Sequence, residues 1–200
     1  LKEPARIDGL CTQLAGHTDV VSSVVFNGTG NLLASGSKDN SIILWDVAVP
    51  QYPALIQQFS PMDPDVISSV RFTHGNYLAA GSWNGSIVFW DIEQPSSPIE
   101  MAEVLYPHQN IYGRQDQISE INVNSQKEIL VSRSGDPDKD AFHPLSLFTI
   151  HFDEKIESDL ITLPIIDAGH TDVVSSMALN HQGNLLASGG VDDTIILWDL

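Results

Sequence analysis

Residues 15–47 read AGHTDVVSSVVFNGTGNLLASGSKDNSIILWDV and residues 168–200 read AGHTDVVSSMALNHQGNLLASGGVDDTIILWDL, aligning without a gap at the 153-residue offset that separates Trp45 from Trp198. Of the 33 aligned positions 23 are identical. Identity of that extent at a fixed spacing marks copies of one supersecondary unit, and such units stack to bury a shared core. Between them, residues 65–92 read DVISSVRFTHGNYLAAGSWNGSIVFWDI, the same pattern with one residue deleted before Tyr77, and Trp90 follows Trp45 by 45 residues. A worn copy threads through residues 117–150, with ISEINVN at 118–124, ILVSRS at 129–134 and LSLFTI at 145–150. Phe148 then stands where tryptophan is expected.

Each copy carries short runs of β-branched and aromatic residues punctuated by Gly, Asn and Asp: VVSSVVF, LLASGS and SIILWDV in the first. These read as three strands. A fourth, outer strand is expected before each Gly-His position, at 11–14, 55–59, 104–106 and 160–166. No window repeats apolar residues at helical spacing over two turns, so the class is all-β. The repeats fall at about 10–47, 54–92, 99–150 and 156–200.

The Gly-His near the start of a copy and the Trp-Asp at its end, at a period of about 40–45 residues, resemble the WD-repeat family. The resemblance is strong in the first and last copies, clear but decayed in the second, and weak in the third, where both pairs are missing. It implies a β-propeller with blades of four antiparallel strands, about four WD-type repeats with the third degenerate. It also implies a buried chain of hydrogen bonds from an Asp, through His, to Ser and the Trp indole. The matching residues are Asp39, His17, Ser35 and Trp45, and again Asp192, His170, Ser188 and Trp198. Asp63, Ala80, Asn84 and Trp90 occupy those places in the second copy, which should therefore depend on packing and be the looser blade. Partner sites in this family lie on one rim of the central channel. By position these are Lys38, Trp83 and Val191 in the turns, and Thr18, Val20, Pro64, Val66, Thr171 and Val173 at the strand starts. Trp83, an indole on the polar turn Ser82-Trp83-Asn84-Gly85, has the character of an interface anchor, the alternative being a ring packed on the next blade.

In the family, the first outer strand commonly pairs with the last blade and fastens the ring, which here would give four blades. Rings of about seven blades would need about 280–315 residues. A four-blade ring, part of a larger propeller in a longer chain, and an oligomer of several chains therefore all stay open. The chain begins at Leu1 and stops directly after a repeat motif, as a piece of a longer product would, and targeting signals cannot be judged from it.

Asp, His and Ser in one network are also the inventory of a hydrolase triad. Here the set occurs twice at equivalent repeat positions, neither serine sits in a G-x-S-x-G elbow, and the set should be buried, so a structural role is expected and no residue is assigned to catalysis. Neither G-x-x-x-x-G-K-[ST], H-E-x-x-H nor C-x-x-C occurs. Asp136, Asp138 and Asp140 alternate as a calcium loop begins, but Ala141 and Leu147 stand where an EF-hand needs Gly and Glu, so a solvated acidic turn is the expectation. His74, His108, His143, His151 and His181 show no ligand spacing. No metal and no cofactor are expected.

Nine Lys plus Arg against 26 Asp plus Glu give a net charge of −17, which repels phosphate backbones and anionic lipid. Nucleic acid and membrane are excluded as partners on that ground, together with the lack of any apolar run of about 18 residues. A single cysteine, Cys11, permits no intrachain disulfide and suits the cytosol, with the nucleus as the other reducing compartment. The reading is a non-catalytic scaffold, docking or sensing platform that binds a protein or peptide, one with basic character by charge complementarity. A propeller module with a divalent-ion or catalytic site is the alternative. So is the substrate receptor of a ubiquitin ligase, although Ala48 and Glu93 stand where that family's motif has Arg after Trp-Asp.

Overall fold

The computed structural model describes residues 12–73, 76–105, 117–124, 129–134, 145–149, 161–162 and 169–200. Among them there is no helix, and fifteen strands form four antiparallel meanders. The first blade consists of β1 (Val21–Phe26), β2 (Leu32–Ser37), β3 (Ile42–Asp46) and β4 (Ala54–Phe59). The second consists of β5 (Ile67–Phe72), β6 (Tyr77–Ser82), β7 (Ser86–Asp91) and β8 (Ile99–Leu105). The degenerate copy also folds into four strands, β9 (Ile118–Asn124), β10 (Ile129–Ser134), β11 (Leu145–Thr149) and β12 (Ile161–Thr162). In it Phe148 pairs in register with Leu130, as Trp45 pairs with Leu33. The last blade has three strands, β13 (Val174–Leu179), β14 (Leu185–Gly190) and β15 (Ile195–Asp199).

The outer strand expected at 11–14 is not found in its described part. Residues 12–14 are irregular, and β15 has no outer neighbour among the described residues. Among the described residues the sheets do not close into a ring: a strand forms where a partner edge satisfies its backbone groups, and no described strand pairs with the open edge of β15.

In the first, second and last blades the hairpin turn between the second and third strands places one residue in the left-handed region. It is Asn40 (φ 68°), Gly85 (φ 83°) or Asp193 (φ 61°), the residue types that tolerate it best. Each first strand carries a bulge at a serine, Ser22, Ser68, Ser119 or Ser175. The bulged hydroxyls donate to the backbone oxygens of Gly36 (3.0 Å), Gly81 (2.9 Å), Arg133 (3.1 Å) and Gly189 (3.0 Å) respectively. A bulge sharpens strand twist, and its repetition gives every blade the same turn.

The core lies between blades. One cluster joins Ala34, Ile42 and Leu44 of the first blade to Ile67, Val70 and Trp90 of the second, with Phe59 edge-on to Trp90 at 5.5 Å. A second joins Ile87 and Phe89 to Ile118 and Ile121, and a third joins Val131 and Leu145 to Val174 and Met177. Flanked on both sides, the second blade is the most completely buried, with Trp90 2% and Phe89 1% exposed. It does depend on packing, but the looseness expected of it is not seen in that packing.

Candidate protein-binding rim

Two blades are pinned by the same polar chain. In the first, the Trp45 indole N–H donates to Ser35 Oγ (2.9 Å), Ser35 Oγ meets His17 Nε2 (2.8 Å), and His17 Nδ1 meets Asp39 Oδ2 (3.0 Å). The last blade repeats it: Trp198 to Ser188 at 2.9 Å, Ser188 to His170 at 2.9 Å, His170 to Asp192 at 3.0 Å. An indole can only donate and a carboxylate can only accept, so the imidazole with its proton on Nδ1 leaves every member satisfied. The His and Asp side chains are 5% and 7% exposed in the first blade and 3% and 5% in the last.

Sequence reasoning missed one member of each chain. Ser41 Oγ donates to Asp39 Oδ1 (2.6 Å), and Thr194 Oγ1 donates to Asp192 Oδ1 (2.7 Å). The available signal was a hydroxyl residue two places after the turn Asp or Asn in all three clear copies, Ser41, Ser86 and Thr194. Burial pushes the Asp39 carboxyl up, but hydrogen bonds from the Ser41 hydroxyl, the Thr18 amide, His17 and the Ser41 amide prevail and bring it down to about 2. The Asp192 carboxyl is held below the usual range chiefly by the Thr194 hydroxyl, against the opposing effect of burial, with help from the Thr171 amide and His170.

These carboxylates also build the rim. Asp39 Oδ2 accepts from the Thr18 amide (2.9 Å) and Asp192 Oδ2 from the Thr171 amide (2.7 Å). Each turn residue then ties back to its own strand start: Lys38 N to Val20 O (2.9 Å), Trp83 N to Val66 O (3.0 Å) and Val191 N to Val173 O (2.8 Å). The structure thus brings the candidates together in three bonded pairs, one per clear repeat. Lys38, Thr18, Val20, Pro64, Trp83, Thr171 and Val191 are exposed, whereas Val66 and Val173 are half-buried. The Trp83 ring lies under Lys38 of the preceding blade, with Nζ 5.0 Å from its centroid. In the second blade Asn84 replaces the tetrad Asp, accepting from the Ser86 amide (3.0 Å) and donating to Asp63 O (3.3 Å).

Three further aspartates stand at equivalent strand starts, Asp19, Asp65 and Asp172, each accepting the next residue's amide at 2.6–2.7 Å. A half-buried ion cluster joins the third blade to its neighbours: Glu120 lies 3.8 Å from Arg71 and 3.6 Å from Arg133. Arg133 takes the place that Gly36 has in the first blade, and its guanidinium donates to Val174 O (2.9 Å). Desolvation lowers the pKa of both arginines, and the Glu120 charge opposes the shift.

Ser35 Oγ already accepts from Trp45, and a groove of about 300 Å³ passes along His17, Ser35 and Trp45. Among the described residues no group of three or more His, Cys, Asp or Glu could hold a metal. No described helix is long and apolar enough to cross a membrane. Cys11, the loop with Asp136, Asp138 and Asp140, and His74, His108, His143 and His151 lie outside the described residues. His181 is exposed, and its backbone oxygen accepts from Asn124 (3.0 Å).

The family model "WD domain, G-beta repeat" matches residues 9–46, 57–91 and 161–199. Telomerase protein component 1 of Mus musculus is 33% identical over 63 residues, 32% of this chain and 2% of that protein. Protein Mut11 of Chlamydomonas reinhardtii is 54% identical over 39 residues, 19% of this chain and 10% of that protein. The chain therefore spans only a small part of the curated relatives it matches. A chain in a crystal structure of the mitotic checkpoint complex superposes with a TM-score of 0.67 at 22% identity, covering 92% of this chain and 52% of that one. The computationally designed Ika8 protein superposes at 0.63 with 20% identity, covering 94% and 48%. Both structural likenesses concern the fold.

Proposed function

The chain belongs to the WD domain, G-beta repeat family, and from that premise we propose that it is a docking platform of a larger assembly or signalling protein, whose partner is a peptide or protein segment of basic character. Proteins of this family generally act as protein-interaction scaffolds without catalysis of their own. The observation that carries the finer reading is the Trp83 ring on the rim, its face already occupied by a cation, Lys38 Nζ at 5.0 Å. An aromatic face that attracts an ammonium ion from its own chain attracts a partner's Lys or Arg by the same quadrupole, worth about 0.5–2 kcal/mol depending on desolvation. Asp19 and Asp172 are exposed on the same rim and Asp65 is half-buried, and the net charge of −17 raises the local concentration of a cationic segment. Lys38 then acts as a place-holder that the partner displaces.

The test uses two labelled peptides of equal length, one rich in Lys and Arg and one in Asp and Glu, titrated against the chain by fluorescence anisotropy. The basic peptide should bind, weaken as salt rises, and lose most of its affinity in Trp83→Ala while the melting temperature stays within about 2 °C. Binding that ignores salt, or Trp83→Ala with stability lost and affinity kept, would refute the assignment.

A further inference from the structure

The seams between the four described blades are not alike. At the first, Ile67 and Val70 of the second blade, both fully buried, sit over Gly36, where a Cβ would lie 2.5 Å from Ile67 Cγ2. Ser22 Oγ donates to Ile67 O, and Ser23 Oγ accepts from the Val70 amide (3.1 Å). The second seam repeats this plan with Ile118 and Ile121 over Gly81. There Ser68 Oγ donates to Ile118 O (2.5 Å) and Ser69 Oγ accepts from the Ile121 amide (3.3 Å).

The third seam departs from the plan at both positions. Arg133 stands where Gly36 and Gly81 stand, and Glu120 where Ser23 and Ser69 stand. Val174 and Met177 of the last blade still pack on Val131 and Leu145, but with a side chain in the glycine's place they cannot seat on bare backbone. Polar side chains cross the gap instead. Arg133 Nη1 donates to Val174 O (2.9 Å), Asn122 Nδ2 to Met177 O (3.0 Å), and Asn124 Nδ2 to His181 O (3.0 Å) and Asn180 O (3.3 Å).

These contacts divide between the two ends of β9. At its far end Asn124 lies over Gly183, where φ is 66° and a Cβ would come 2.7 Å from Asn124 Cγ, so glycine alone fits. At its rim end Glu120 governs. Its carboxylate lies 3.6 Å from Arg133 Nε and accepts from Asn122 Nδ2 (3.3 Å), and so holds both side chains that reach Val174 and Met177. Arg133 Nε is buried with no hydrogen-bond partner among the described residues, so charge rather than a hydrogen bond links it to Glu120. Arg71 of the second blade stands 3.8 Å from the other carboxylate oxygen.

We infer that the third seam is a latched joint: Glu120 keeps its rim end shut, the Asn124 contact with Gly183 is its pivot, and the seam opens when the carboxylate's charge is screened or removed. On the docking reading above, opening shifts Thr171 and Val191 relative to Trp83 and makes the span of the rim adjustable. The test below uses no partner, so its outcome is separate from that reading.

Charge gives the seams opposite signs. A chain of −17 is stabilised as a whole when salt screens its self-repulsion, and no ion pair among the described residues crosses the first seam, so that seam should open less often in salt. The third should open more often, because Glu120, Arg71 and Arg133 are 14–26% exposed and within reach of ions. The second seam carries the Arg71 pair but keeps its glycine and both serines, so it should change little.

Thiol labelling reads each seam. In a Cys11→Ser background, Val70→Cys, Ile121→Cys and Met177→Cys each place one thiol inside the first, second or third seam, at side chains 0%, 0% and 5% exposed. Raising salt from about 0.01 M to about 1 M should label Met177→Cys about fivefold faster and Val70→Cys no faster or more slowly. Glu120→Gln should bring the Met177→Cys rate in low salt up to the parent's rate in high salt, and should abolish its salt dependence. A residue that merely filled space would alter the rate and leave the salt dependence standing. Salt that slows labelling at Met177→Cys, or speeds all three seams alike, overturns the inference, as does a Glu120→Gln variant as salt-dependent as the parent. Circular dichroism checks that each variant folds, and the salt series on the parent decides the matter even where Glu120→Gln does not.

Discussion

Ser35→Ala and Ser188→Ala remove the same hydroxyl from the same network, yet the structure assigns them different costs. Ser35 Oγ accepts the Trp45 indole proton at 2.9 Å and meets His17 Nε2 at 2.8 Å, and Trp45 is only 4% exposed. Truncation orphans the indole N–H and His17 Nε2, each costing about 1–3 kcal/mol. The expected loss is about 2–5 kcal/mol, or roughly 5–15 °C in melting temperature for a chain of this size. At Ser188 the bonds are 2.9 and 2.9 Å, but Trp198 is half-buried where Trp45 is buried. Its freed N–H can hydrate, so the loss falls to about 1–2 kcal/mol. Urea unfolding at low protein concentration, with hydrogen exchange of peptides spanning β2–β3 and β14–β15, would read each blade separately. The second blade supplies the internal control: Ala80 stands at this position and Asp63 at that of His17, so where the imidazole is gone the hydroxyl is not required. His17→Ala combined with Ser35→Ala should therefore cost less than the sum, with a coupling of about 0.5–3 kcal/mol. Equal losses at the two serines, or additive losses in the pair, would refute the reasoning.

Gly36→Ala should cost about 1–3 kcal/mol, because its Cβ would lie 2.5 Å from Ile67 Cγ2 on a stiff β-branched side chain, whereas Gly189→Ala should be neutral within about 0.5 kcal/mol in the single chain. Equal effects in thermal unfolding would mean that the open end is not open. Glu120→Gln leaves Arg71 and Arg133 without their counter-charge, and with these groups 14–26% exposed the loss should be about 1–2 kcal/mol by urea titration; a stabilised variant would show that their burial costs more than the pairing returns. The Asp39 carboxyl titrates at about 2 when folded, below its unfolded value near about 3.9. Its stabilisation is therefore complete above pH 4 or so and is lost as pH falls towards 2. The Asp39→Asn variant should show a shallower acid limb than the parent in urea midpoints between those values, and identical limbs would contradict the assignment.

What the sequence disclosed and what it withheld divide along a physical line. The strands, the turns and the paired Asp-His-Ser-Trp positions were legible because each rests on local residue type repeated at fixed spacing, and 23 of 33 identities make that spacing visible. Even the copy lacking both signature pairs shows as three strands at 118–124, 129–134 and 145–149, since pleated periodicity survives the loss of the tetrad. Contacts between blades were not legible. Nothing local says that Lys38 will lie over Trp83, or that Arg133 in a glycine's place will reach the next blade's Val174 carbonyl. The serine pairs Ser22-Ser23 and Ser68-Ser69 were visible as residues, but that they bond the next blade's Ile67, Val70, Ile118 and Ile121 backbone depends on a neighbour, which one unit's pattern does not contain.

Rigidity and recognition are joined in the same turns. In the first and last blades one carboxylate closes the tetrad and also holds the rim amide of Thr18 or Thr171, while the residue before it ties back to Val20 or Val173. A partner pressing on Lys38 or Val191 therefore pushes against a buried network, and those two positions present fixed geometry. The turn that carries Trp83 has a neutral amide in that place, Asn84, whose Oδ1 accepts from the Ser86 amide (3.0 Å) and hydroxyl (2.7 Å) while its Nδ2 donates to Asp63 O (3.3 Å). The Trp83 ring thus sits on a turn held by a neutral amide, between two turns held by buried carboxylates. Replacing Asn84 by Asp would add a charged acceptor but no imidazole to receive it. It should therefore stiffen nothing: hydrogen exchange at Trp83 should stay as fast as in the parent, and slowing there would show that the carboxylate alone, without its histidine, is what holds a rim turn.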